Sequence, residues 1–451
     1  MSDEVDVVVV GLGPGGESLA SEVASAGLKV VGIDKHLVGG ECPYYGCIPS
    51  KMMVRAADLL AEGKRIPGMA GASTVTPEWT PVAERIANEA TDDWNDQVAV
   101  DRLKAAGVTF VRGAGRLAGD RTVEVGDQTF VARRGVVLNT GTEPAVPPID
   151  GLADTPYWTN RDAVKLKELP GSLIVIGGGA IGAEMSQAFS RFGVDVTVIE
   201  VAPRILGPEE PEASKLISEV FGSEGIQVLA GVDIASVSYE DGHFSVTLGE
   251  QTLTADKLLV AAGRRPNLRD IGLDTVGLDP EARALDTDER MLVADGLWAI
   301  GDITGKGAFT HNSMYQAAIA ARAILEKDGP AADYRAVPRV TFTDPEVGSV
   351  GMTEKQARDA GLKVRVGSTD LASSTRGWIH KPGTGLIKLV EDTDEGVLVG
   401  ATAIGPSGGE ILSALTVAVH GKVPTSTLRS MIYAYPTFHR AIEEALKDLD
   451  S

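Results

Sequence analysis

The stretch GGECPYYGCIPSK, Gly39 to Lys51, holds both cysteines of a 451-residue chain. Thiols this close in sequence can open and close a disulfide, help to hold a metal, or simply pack. Two thiolates leave a zinc site incomplete, and neither a C-x-x-C spacing nor a cluster among the six histidines completes it. No metal is expected. In a reducing cytosol a cysteine pair serves catalysis or redox sensing more often than structure, so Cys42 and Cys47 are expected to be a redox pair.

Residues five apart on a regular helix are displaced by about 7.5 Å along the axis and rotated by about 140°, which is outside disulfide reach. A bridge between Cys42 and Cys47 therefore requires a break in the helix, and Pro43 and Gly46 lie where one is needed. A helix starting near Cys47, with Lys51 close by, would favour a thiolate through its N-terminal amides and the nearby cation.

Two segments are built to place such a pair beside a cofactor. VDVVVVGLGPGGESLASEVASAGLKVVGID (5–34) and LIVIGGGAIGAEMSQAFSRFGVDVTVIE (173–200) each read as strand, glycine-rich turn, helix and second strand. Each carries G-x-G-x-x-G, as Gly11, Gly13, Gly16 and as Gly177, Gly179, Gly182, with an acid, Asp34 or Glu200, 23 positions after the first glycine. The glycines permit a tight turn and close approach of backbone amides to a pyrophosphate, the helix start favours its charge, and the acid accepts from ribose hydroxyls. Two dinucleotide sites are expected.

The remaining pattern is compatible with a globular multidomain chain that is 43% hydrophobic. A helix is expected from about Pro81 to Ala106, and the proline-bearing EPAVPPIDG (143–151) as a crossing between domains. GVTFVRG, RTVEV, GVVLNTGTEP, FSVTLG, KLLVAAGRRPN and LWAIGD read as strands, several running into glycine turns, and extended pieces with later helices after Val337 imply a separate α+β domain. A formal charge of −21 opposes binding to nucleic acid or to anionic membranes. The acidic start MSDEVDVVVV does not resemble a signal peptide, and no apolar run is long enough to insert in a membrane, so a cytoplasmic location is expected.

A nicotinamide gives up a hydride whereas a disulfide accepts electrons through thiolates, and a flavin links the two chemistries. With GGECPYYGCIPSK, both glycine fingerprints, NTGTEP, AAGRRPN, AIGD and TDPEVGSVGMTEKQA, the chain resembles the FAD-dependent pyridine nucleotide-disulfide oxidoreductases over essentially its full length. This group contains dihydrolipoamide dehydrogenase, glutathione reductase and mercuric reductase. The resemblance implies an α/β fold of two Rossmann-like domains, for FAD and NAD, with a C-terminal α+β dimerisation domain. The expected division is residues 1–148 for FAD and the disulfide, 149–268 for NAD, 269–335 completing the FAD domain and 336–451 for the interface of a homodimer.

By the same resemblance, Gly11, Gly13, Gly16 and Asp34 would hold the ADP half of FAD, with Asp302 near the ribityl chain and Gly141, Gly263 and Gly301 in the cofactor-binding turns. Cys47 would face the flavin, Cys42 would meet the substrate, and Lys51 would pair with Glu184 beside the flavin. Gly177, Gly179, Gly182 and Glu200 would hold the nicotinamide cofactor. Glu200 accepts from the 2′-hydroxyl of NAD and repels the 2′-phosphate of NADP, so NADH is expected, with Arg204 close enough in sequence to work against that preference.

The C-terminus departs from the family pattern, in which a histidine before Pro-Thr and a glutamate five positions later form an acid-base dyad. Here AYPTFHRAIEEAL places Tyr435 and Arg440 at those positions. An imidazole both takes and returns a proton near neutrality, whereas a phenol mainly donates, so ordinary dihydrolipoamide oxidation is not expected. His439 would share a face with Tyr435 if helix has begun there and is then a catalytic candidate that partly replaces the missing base, and Tyr44, Tyr45 and Tyr435 together imply an aromatic substrate mouth. The resulting expectation is NADH oxidation through FAD and the Cys42–Cys47 disulfide to a disulfide or other small-molecule acceptor. The alternatives are a quinone-type reductase with an uncoupled disulfide, and a non-catalytic redox sensor or binding subunit.

Overall fold

A computed structural model describes residues 2–381 and 383–450. The chain forms two compact units, one built from residues up to Ser50 with Ala83–Ala145 and Gly263–Asp333, the other from Lys51–Val82, Val146–Ala262 and residues from Tyr334 on.

In the first unit the valine-rich strand Ser2–Val10 lies between Val30–Asp34 and Gln128–Leu138, parallel to both. Leu297–Ala299 extends the sheet beyond Gln128–Leu138, and Val108–Arg112 beyond Val30–Asp34, again in parallel. Such central strands are covered on both faces, which is why they read as unbroken apolar runs rather than alternating ones. Val7, Val8, Val9, Val136, Val137 and Leu138 have no accessible surface. The helix Pro14–Ser25 returns the chain between the first two strands and buries Gly15, Gly16, Leu19, Ala20 and Val23.

The second unit repeats this arrangement in a four-stranded parallel sheet, ordered Gln227–Ala230, Asp195–Glu200, Ser172–Ile176, Lys257–Val260, with helix Ala180–Arg191 as the first crossover. Its C-terminal part is a five-stranded antiparallel sheet, Pro338–Thr341, Glu346–Gly351, Val397–Gly405, Leu386–Asp392 and Val364–Asp370. Helices Gly408–His420 and Ala441–Asp448 pack their apolar faces into one core with it.

The helix expected over Pro81–Ala106 is interrupted. Thr80–Arg85 is α-helical, Ile86–Ala90 is a π-turn, and helix resumes only at Gln97–Ala105. Between them Asp92, Asp93 and Trp94 take left-handed conformations, with φ of 48°, 51° and 59°. Local and long-range side-chain hydrogen bonds together outweigh helix propensity here. The buried Thr91 hydroxyl donates to the Ile86 and Ala87 carbonyls, ending the helix. Trp94 Nε1 donates to the Tyr44 carbonyl, and Asp96 accepts from Val38 N and Arg112.

Candidate redox and dinucleotide sites

The cysteine loop departs from helix where its composition allows. Gly39 and Gly40 adopt φ of 104° and 67°, Glu41–Tyr44 forms one short helix, and Tyr45 at φ −135° ends it. A second helix, Cys47–Arg65, then starts at the second cysteine. Its Ala, Leu, Met, Lys and Arg content favours helix, Pro49 sits in the first turn where its missing N–H costs nothing, and Lys64 and Arg65 complement the dipole at its end. Cys42 is half-buried and Cys47 exposed, both as thiols. Cys47 Sγ lies 3.6 Å from the hydroxyl of Thr310, the first residue of helix Thr310–Ile324. Tyr44 belongs to the core, with 7% of its surface exposed, so its ring lines no open mouth and that part of the aromatic expectation is corrected. Neither Thr310 nor Trp94 stands out in sequence, because each reaches the loop from a distant segment.

The first glycine turn has a cradle that a side chain would fill. A Cβ at Gly11, where φ is 93°, would overlap the Asn139 carbonyl, and one at Gly16 would overlap the Gly11 carbonyl. Gly13 is different: an added Cβ would meet only Asn139 Nδ2, at an ordinary 3.4 Å. Packing within the protein therefore demands the first and third glycines, while the middle one keeps space open in front of a helix start that no side chain caps. That is the fit expected for a pyrophosphate. At the strand end, Asp34 accepts from Leu12 N and His36 N, both at 2.7 Å. Burial raises its pKa against these two backbone bonds.

The segments NTGTEP, AAGRRPN and AIGD converge in this unit and reach Glu41 of the cysteine loop. Thr142 donates to Asp302 at 2.7 Å and accepts from Arg264 Nε at 2.6 Å, while Arg264 also lies 3.4 Å from Glu41. Strands Thr142–Pro144 and Arg264–Pro266 pair antiparallel, which sets this register. Gly141, Gly263 and Gly301 all have positive φ, 65°, 110° and 78°. Asn139 ties the turn together, donating to the Gly11 carbonyl and accepting from Ser313. Asn139 and Arg264 were visible in NTGTEP and AAGRRPN, but nothing local in those motifs marks them as links.

In the second unit the glycine turn repeats the same geometry. A Cβ at Gly177 would overlap the Ala261 carbonyl and one at Gly182 the Gly177 carbonyl, whereas at Gly179 nothing lies within 4 Å. Glu200 accepts from Gly178 N at 2.7 Å and Ala202 N at 2.8 Å. Arg204, which sequence proximity set against Glu200, instead donates to the carbonyls of Leu206, Gly207 and Glu209.

Helix Ala180–Arg191 also carries a buried polar stripe. Lys51 Nζ lies 2.5 Å from Glu184 and 4.6 Å from the centre of the Phe342 ring, and Glu184 accepts from Phe342 N at 2.8 Å. One turn on, Gln187 exchanges hydrogen bonds with the backbone of Asp344. Arg191 then binds Asp58, Glu224 and Asp344 at 2.7, 2.7 and 2.8 Å. Burial is the largest cause pushing Asp58 up to about 6; Arg191 opposes it and the Asp344 carboxylate adds to it.

Near the C-terminus, Tyr435 is 66% exposed and its hydroxyl donates to Thr375 Oγ1 at 3.4 Å. The guanidinium carbon of Arg440 lies 5.6 Å from the centre of the Tyr435 ring, so Arg440 covers one face of Tyr435. Helix starts only at Ala441, so the helical spacing proposed between Tyr435 and His439 does not hold. The His439 ring lies 6.2 Å from that of Tyr433. Among the described residues, no group of three or more His, Cys, Asp or Glu side chains could hold a metal. No described helix is long and apolar enough to cross a membrane.

Two family profiles match this arrangement: pyridine nucleotide-disulphide oxidoreductase over residues 5–317, and the dimerisation domain of the same family over residues 337–446. The chain belongs to the pyridine nucleotide-disulphide oxidoreductases, enzymes that use FAD and NAD(P)H. It is 33% identical to a dihydrolipoyl dehydrogenase of Chlorobaculum tepidum, over 99% of this chain and 97% of that one. It is 31% identical to a mercuric reductase of Acidithiobacillus ferrooxidans, over 98% of this chain and 82% of that one. Among solved structures it resembles the copper(II) complex of the HOCl-induced flavoprotein disulfide reductase RclA from Escherichia coli, with a TM-score of 0.87, 26% identity and 99% of both chains covered.

Proposed function

We propose that the protein is an NADH-dependent flavoprotein reductase that delivers electrons through Cys42 and Cys47 to a disulfide or other small oxidised acceptor, as a homodimer. In this reading residues 1–148 and 269–335 hold FAD, 149–268 hold NADH, and 336–451 form the contact between subunits. The observation that carries it is the break between the cysteines, which places Cys47 at the start of a 19-residue helix and Cys42 on a separate short one. First-turn amides favour a thiolate at Cys47, and the break frees the pair from the helical spacing that would forbid a bridge.

For a disulfide acceptor the balance is NADH, one proton and RSSR giving NAD and two RSH. FAD, when bound, supplies the step that converts hydride transfer into electron-pair chemistry at sulfur. The Cys42 thiolate attacks the acceptor sulfur and releases one thiolate; Cys47 then attacks Cys42, releasing the second and closing the disulfide. In the homodimer, Tyr435 of one protomer gives its proton to the thiolate departing at the cysteine pair of its partner. Lys51, held by Glu184, places a cation beside the flavin. Glu200 favours NADH, and Arg204, with three of its five N–H donors engaged by carbonyls of its own loop, offsets that preference less. Tyr435 and Arg440 supply no equivalent of a His-Glu dyad, which supports an acceptor other than dihydrolipoamide.

Anaerobic titration with dithionite, and separately with NADH, tests this reading. A long-wavelength thiolate–flavin band, with bleaching that requires about twice the reductant of a flavin alone, is expected if the cysteines are coupled. Bleaching by one equivalent without that band would send electrons directly to quinone-type acceptors instead. Bound cofactors with no turnover of any acceptor would leave a redox sensor or binding subunit.

A further inference from the structure

The chain carries 63 acidic residues in 451, yet none falls in 371–385 or in 411–442. These two segments meet around Phe438. The Arg376 guanidinium lies 5.6 Å from the Phe438 ring, and His380 meets the same ring edge-on at 5.4 Å. The Tyr435 hydroxyl donates to Thr375, and Arg440 covers the Tyr435 ring.

Most of the cations here are already neutralised. Arg429 pairs with Asp450, Lys422 with Glu395 and Arg440 with Glu443. Arg376 is not: among the described residues its guanidinium contacts the Phe438 ring and makes no hydrogen bond or ion pair. Its helix Thr375–His380 ends beside Lys381, which is exposed and likewise has no carboxylate partner among the described residues. A half-buried guanidinium held against an aromatic face keeps its fork of donors available and has shed part of its hydration, a setting that favours a carboxylate. Trp378, 76% exposed, adds an aromatic face on the same short helix. A chain at −21 repels small anions over most of its surface, so a local positive site beside Tyr435 selects them at that place.

We propose that the acceptor is a small anionic disulfide whose negative group is held by Arg376, with Lys381 adding to the local field, so that its sulfur is presented beside Tyr435. This rests on the disulfide-reductase reading given above. The acceptor takes two electrons from NADH and two protons, and leaves as two thiols. Arg376 acts on binding, not on the bonds that break.

The test compares the FAD-loaded full-length protein and its Arg376→Gln and Arg376→Lys variants on two aromatic disulfides, dithiobis(nitrobenzoate), a dianion, and dithiodipyridine, which is neutral. The quantity read is the ratio of the two kcat/KM values, in which any difference in the fraction of folded enzyme cancels. In the wild type this ratio is expected to fall as salt is raised. Arg376→Gln should lower it about fivefold, through KM, with Arg376→Lys recovering part of the loss. A ratio insensitive to both salt and Arg376→Gln overturns the anion site while leaving disulfide reduction standing. Failure of the wild type to reduce either disulfide overturns the site together with the reading on which it rests.

Discussion

The two glycine turns have the same backbone plan, but the helices behind them differ. Pro14–Ser25 buries only small and apolar residues, and its charged contact, Glu17 with Arg102, involves an arginine that is mostly exposed. Ala180–Arg191 buries Glu184, Gln187 and Arg191 along one face and binds Lys51, Asp58, Asp344 and Glu224 through them. The first helix supports a glycine turn. The second supports a glycine turn and also anchors the helix that begins at Cys47. A shared motif thus defines a shared turn geometry without defining what the rest of its helix does.

The largest expected effects separate the two turns. Ala at Gly13 or Gly179 meets almost no protein atoms, so the unliganded fold should tolerate either substitution. Gly13→Ala is expected to weaken FAD about a hundredfold, and Gly179→Ala to raise the KM for NADH by a similar factor while flavin content is retained. Flavin absorbance of the purified proteins and steady-state kinetics distinguish them; equal loss of both cofactors in both variants would erase the assignment.

A smaller effect sharpens the contrast between the helices. Lys51→Met leaves the buried Glu184 carboxylate with its hydrogen bond from the Phe342 amide but without its cation, and should cost about 2 kcal/mol in denaturant unfolding. Glu17→Gln on the first helix should cost less than about 1 kcal/mol. Similar costs for both would mean that the second stripe is no more than surface charge.

The smallest effect is in pH. Asp58 rises from 3.8 to about 6 on folding, chiefly through burial. The folded chain therefore holds this proton more tightly than the unfolded one, and the associated stability is full below the unfolded value and lost as pH rises to about 6. In Asp58→Asn that loss is absent, so the difference in unfolding free energy between variant and wild type, read from denaturant melts, should widen from pH 4 to 6 and then level off. Its size is about 1 to 2 kcal/mol after discounting for partial exposure. A difference that is flat with pH would place the ionisation of Asp58 elsewhere.

Much of the architecture was readable because it depends on local rules. Valine runs, glycine spacing and an acid at each second strand end mark two βαβ units, since each constraint lies within about 30 residues. The break between Cys42 and Cys47 was readable for the same reason. The single helix expected over Pro81–Ala106 failed where Thr91, Trp94 and Asp96 form hydrogen bonds that no helical periodicity reports. The face assumed to join Tyr435 and His439 failed because the chain reaches helix only at Ala441.

Residue types and their spacing were enough to specify two glycine turns between strand and helix, one cysteine pair and the stretch AYPTFHRAIEEAL at the C-terminus. Tertiary structure decided which polar groups are spent and which remain. It ties Arg204 to three carbonyls, sets Arg440 against Tyr435, closes Arg191 among three carboxylates and leaves Arg376 on an aromatic face. The reason is physical: a hydrogen bond or ion pair between distant segments depends on where folding brings its two ends, and neither end carries a local mark of the other.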